Sequence, residues 1–96
     1  SWHTPASDGE PGAQIDLLID RSDGVINLCE MKYTNGPFKI ESSYNAVLQN
    51  KKSRFIESTG TRKAVRITLI SAEGVVRNSY SDDIPNKVTA DDLFSD

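Results

Sequence analysis

An α/β domain built on a mixed sheet is what this sequence predicts, on three observations. Two apolar runs, Ala13 to Asp20 and Val25 to Tyr33, alternate as strands do. Tyr44, Val47, Leu48, Phe55 and Ile56 recur near the 3.6-residue period of a helix. Ala64 to Ser71, AVRITLIS, is apolar at most positions, like a strand in the interior of a sheet. The strand-helix-strand passage from residue 25 to 71 can make a crossover between parallel strands, whereas the first two strands lie too close in sequence for anything but a hairpin.

Each element has a local reason. Arg21-Ser22-Asp23-Gly24 places a glycine where a three-residue hairpin loop needs a left-handed residue. The second strand ends at Thr34-Asn35-Gly36-Pro37, because Asn-Gly turns easily and proline cannot continue a central ladder. Ser42 or Ser43 can cap the helix, which spans roughly four turns and stops at Gly60. Val75 to Tyr80 and Lys87 to Val88 read as shorter strands, and Thr89-Ala-Asp-Asp-Leu-Phe as a short terminal helix with a capping residue and acids in its first turn. Residues 1–12, SWHTPASDGEPG, have the composition of a linker or processed end, leaving one domain over residues 13–96.

Composition narrows the function classes. There is no run of about 18 apolar residues and no basic-then-apolar leader, so the expected setting is cytoplasmic, with no membrane partner. A single cysteine, Cys29, excludes an internal disulfide and a multi-thiolate zinc site within the chain. The net charge of −3 argues against holding nucleic acid by bulk charge, but Lys51, Lys52, Arg54, Arg62, Lys63 and Arg66 cluster against a single Glu57. That cluster reads as a basic patch or as ordinary solvated surface.

The informative stretch is IDLLIDRSDGVINLCEMKY, residues 15–33, which carries Asp16, Glu30 and Lys32 in an apolar setting. Such charges are costly unless paired, hydrated or bound to a metal. Alternation puts Ile26, Leu28, Glu30 and Lys32 on one face. If Arg21 faces Val25 across the turn, Asp16 falls opposite Glu30, at the Cβ spacing of about 4.5–5.5 Å typical of cross-strand pairs. Two carboxylates and an ammonium then converge. A divalent cation turns the carboxylate repulsion into binding, and magnesium, which takes one or two carboxylates and keeps several waters, suits the pattern. Lys32 would then stabilise charge developing on a phosphate. The alternative is an exposed strand face with an ordinary Glu30–Lys32 ion pair.

Asp16, thirteen residues, then Glu30-Met31-Lys32 at the end of an apolar strand resembles the signature of the PD-(D/E)XK, or restriction-endonuclease-like, nucleases. Over residues 12–94 the run GAQIDLLIDRSDGVINLCEMKY, the helix with Tyr44 and the ending VTADDLF are similar to the C-terminal domain of bacterial and archaeal AAA-type ATPases. The resemblance implies a central mixed sheet flanked by helices, acting in metal-dependent hydrolysis of DNA phosphodiesters. It implies Asp16, Glu30 and Lys32 as catalytic residues, and Mg2+ or Mn2+ held by Asp16, Glu30 and the main-chain carbonyl of Met31. Implied partners are DNA, an upstream ATPase domain of the same polypeptide and, as a further option, a second copy in a homo-oligomer. Ile15 stands where the signature's name has proline, and the core's opening helix has no candidate in SWHTPASDGEPG. That helix either lies upstream in a longer ATPase-containing protein or is missing from the site. A catalytically inactive module that binds the ATPase domain, nucleic acid or another subunit is the alternative function.

Other residues carry weaker signals. Gln14 shares a strand face with Asp16, and Asn45, Gln49 and Lys52 lie on one helix face, so Gln14, Gln49 and Lys52 are candidate substrate contacts. Cys29 reads as a small core residue and His3 as a lone histidine in a weakly structured stretch. Asp82-Asp83 and Asp91-Asp92 fit a turn and a helix start.

Overall fold

Alternating apolar residues on either side of the Gly24 turn produce a hairpin, and in the computed structural model, which describes residues 15–89 and 91–92, it opens a four-stranded mixed sheet. β1 (Leu17–Asp20) runs antiparallel to β2 (Val25–Lys32), with Leu17 paired to Cys29 and Asp20 to Ile26. Gly24 has φ 83°, and the Arg21 N–H donates to the Val25 carbonyl at 2.9 Å, which fixes the register the turn residues predict.

The chain then crosses over through helix α1 (Ser42–Thr59) into β3 (Ala64–Ser71), parallel to β2. α2 (Ser79–Asp82) leads into β4 (Asn86–Thr89), which lies parallel to the second half of β3. Strand order is β1-β2-β3-β4. Leu48 and Phe55 are the fully buried positions of α1, and the core falls into two clusters. Ile15, Ile26, Leu28, Phe55 and Val65 form one; Ile40, Leu48, Ile67, Leu69 and Ile84 form the other.

Two expectations change, and a third is described only in part. α1 starts one residue early, with Glu41 as its N-cap, so Ser42 and Ser43 occupy the first turn instead of capping it. Val75 to Tyr80 is not a strand: Val75 makes a single parallel bridge to Phe38, and the polar run beyond it lets Asn78 cap α2 through a reciprocal pair with Ser81. The terminal helix is described only at Asp91 and Asp92, where Thr89 and Asp92 exchange backbone-to-side-chain hydrogen bonds of capping-box type. Residues 1–14, with the linker, His3 and Gln14, lie outside the described residues, and so do 93–96. Among the described residues no helix is long and apolar enough to cross a membrane.

Candidate functional site

β2 alternates its side chains between the helix-covered face and the opposite one, so after Leu28 the next residue directed at α1 is Glu30. It is 4% exposed, an unusual state for a carboxylate. α1 meets it with Lys51, whose Nζ donates to Glu30 Oε1 at 2.5 Å. Glu30 Oε2 is buried and has no hydrogen-bond partner among the described residues. The pair sits where the two apolar clusters adjoin, since Leu28 and Phe55 belong to one and Leu48 and Leu69 to the other.

Asp16 lies one residue before β1, at the place where continuation of the register puts it opposite Glu30. The ladder ends at Leu17 and Cys29, and the Asp16 carboxylate takes over from it by accepting the Met31 N–H at 2.9 Å. Met31 therefore turns its N–H toward the β1 edge, and in a strand the carbonyl of the same residue points to the same edge. That brings the Met31 carbonyl to the side on which Asp16 stands.

Lys32, half-buried, is held by rings. Its Nζ lies 4.7 Å from the centroid of Tyr44 and 5.8 Å from that of Phe38, and the two rings meet edge to face at 5.3 Å. The Tyr44 hydroxyl is buried without a hydrogen-bond partner among the described residues. Burial first, then the charges of Glu30 and of Asp16, push this phenol well above its ordinary range. Both carboxylates thus act on one phenol, so Asp16, Glu30, Lys32 and Tyr44 share a neighbourhood.

The other substrate-contact candidates fall elsewhere. Gln49 and Lys52 line a cleft of about 530 Å3 with residues 64–67 of β3 and Asp83 to Pro85. The helical period explains this: Tyr44, Leu48, Lys51 and Phe55 stack on the inward face, while Asn45, Gln49 and Lys52 sit roughly 100° around the axis. The lysine of α1 that meets Glu30 is Lys51, one position before the stripe the sequence singles out; the apolar residues flanking it at i−3 and i+4 are the signal that finds it. Of the basic cluster, Lys63 pairs with Asp20 at 2.8 Å on the surface and Arg66 is exposed. Cys29 is buried on the face opposite Glu30, and burial, with Glu30 nearby, raises its thiol above the usual value. It behaves as the small core residue the sequence suggests.

Among the described residues no three His, Cys, Asp or Glu side chains gather to hold a metal ion. The donors at hand are the two carboxylates and the Met31 carbonyl, all hard oxygens of the kind magnesium and manganese take together with water. The unpartnered Glu30 Oε2 fits such an ion, because a buried anionic oxygen without a donor is costly. Comparison with protein-family models, with curated proteins and with solved structures finds no match to this chain.

Proposed function

We propose that this chain is a nuclease-like domain of restriction-endonuclease-like type that hydrolyses DNA phosphodiesters with Mg2+ or Mn2+, working beside an ATPase domain of the same polypeptide. The observation that carries the reading is Glu30: a buried carboxylate with one free oxygen, in register with Asp16 and two residues before Lys32. Asp16, Glu30 and the Met31 carbonyl would hold the cation. A divalent ion there supplies Lewis acidity toward a scissile phosphate. Lys32 contributes a fixed positive charge, pinned by Tyr44 and Phe38, against the negative charge that develops during hydrolysis. Lys52 and Arg66, which line the neighbouring cleft, would meet backbone phosphates.

A second reading has its own observation. Lys51 already neutralises Glu30, and Asp16 already caps the Met31 N–H, so both acids have structural duties in an inactive interaction module. Thermal melts with and without Mn2+, on the wild type and on Asp16→Asn, separate the two. At a hundredfold excess over Kd the native state gains about 2.7 kcal/mol, which for a domain of this size raises Tm by roughly 10–20 °C. The nuclease reading expects this rise in the wild type, its loss in Asp16→Asn, and Mn2+-dependent nicking of DNA that Lys32→Ala abolishes. Superimposable melts would favour the interaction module.

A further inference from the structure

We propose that Lys51 is the resident counter-ion of Glu30 and competes with the divalent cation, leaving Oε1 when the ion binds, so that this lysine sets the affinity of the site. The inference rests on the metal-site reading above. Three observations carry it. Glu30 is 4% exposed, so something must balance its charge, and Lys51 Nζ does so at 2.5 Å. Only one oxygen of the carboxylate is taken, because Oε2 has no partner among the described residues. Finally, the Lys51 side chain is 23% exposed against 6% for Glu30, so its ammonium has a path to water that the carboxylate lacks.

The electrostatics give the direction. A dication held by Oε2 would share one carboxylate with the ammonium on Oε1, and like charges that close repel strongly in a poorly hydrated site. Lys51 is a long, flexible chain with a well-hydrated head, so swinging outward relieves the repulsion at small cost. Lys32 has no such freedom, since the Tyr44 and Phe38 rings hold it. The two lysines near Glu30 therefore divide the work: Lys32 stays while Lys51 leaves. Apo protein keeps its buried acid neutralised, and the cation replaces one positive partner with another.

The test uses the wild-type chain first. Lysine ammonium signals are followed by 1H–15N NMR during a Mg2+ titration, with backbone amides of residues 16, 30 and 31 reporting whether the ion binds. Isothermal titration with Mn2+ on the wild type, Lys51→Gln and Lys51→Arg then gives affinities. The proposal expects a protected Lys51 ammonium that loses protection as Mg2+ is added, and Mn2+ binding at least about tenfold tighter in Lys51→Gln. Lys51→Arg should stay near the wild type. If the amides shift while the Lys51 signal stays put and Lys51→Gln binds no tighter, the competition is overturned and the metal site stands. If neither the wild type nor Lys51→Gln binds either ion at millimolar concentration, the metal site falls and the competition with it. Should Lys51→Gln fail to fold, the wild-type ammonium titration decides alone.

Discussion

At the scale of single residues the molecule is governed by how it treats three charges that differ in depth: Glu30 is buried, Lys32 half-buried and Asp16 exposed. Glu30 is neutralised from the helix, Asp16 replaces a missing ladder partner, and Lys32 is stored against aromatic rings. Tyr44 links them and carries a testable pH dependence. An unfolded tyrosine ionises near pH 10, while the folded phenol, buried and facing Glu30 and Asp16, keeps its proton beyond that. Above the unfolded value the native state binds more protons than the unfolded one, so stability is lost as pH rises. Urea midpoints measured between about pH 9 and 11 should therefore fall more steeply for the wild type than for Tyr44→Phe. The register of Asp16 and Glu30 was legible because a glycine turn and a constant pairing sum fix it from a few residues. For Lys51 the apolar neighbours at i−3 and i+4 mark its inward position, but its partner was not legible, because the pairing joins it to a strand residue 21 positions away.

Among the elements, endings are set by backbone chemistry. Gly60 closes α1 with φ 63° and donates its N–H to the Ile56 carbonyl, a left-handed cap that a Cβ would strain. Gly60→Ala has open space around it, so conformational strain alone should cost about 1–2 kcal/mol in chemical denaturation. Asn78 anchors α2 at both ends of a capping box, and its amide also donates to the Ile40 carbonyl at 3.1 Å. Asn78→Ala should accordingly cost about 2 kcal/mol, the upper range for a cap. The glycine stop was readable from sequence, as was the hairpin. α2 was not, since Val75 and Val76 look like the start of a strand, and only the bridge to Phe38 shows that one pairing is all they make.

For the whole molecule, the two apolar clusters meet along a polar seam of Glu30 and Lys51. A buried ion pair seldom gives more stability than well-packed apolar side chains of similar size, whereas breaking it from one side is expensive. Glu30→Leu combined with Lys51→Met should be neutral or stabilising by about 1–4 kcal/mol, and would remove the proposed metal ligand. Lys51→Met alone should lose about 3 kcal/mol; full denaturation curves on all three proteins, with the single Glu30→Leu, measure the coupling. A seam worth nothing to the fold is what the proposed metal site expects, and a strongly destabilised double variant would point to the structural role instead. The mixed topology was legible from the spacing of the apolar runs, but the seam required a contact across the crossover.

β1 has a consequence of another kind. Among the described residues it stands at the margin of the sheet, with Leu17 and Ile19 39% and 43% exposed, so unpaired backbone and apolar side chains lie together at an edge that its four-residue length only partly blunts. Asp16 precedes it and occupies the Met31 N–H just beyond its last pair, while Asp20 closes it in an ion pair with Lys63. These acids are gatekeepers against cross-molecule β-addition. Asp16→Asn weakens one of them, so aggregation after heating should be faster in that variant, and light scattering belongs beside every melt made with it.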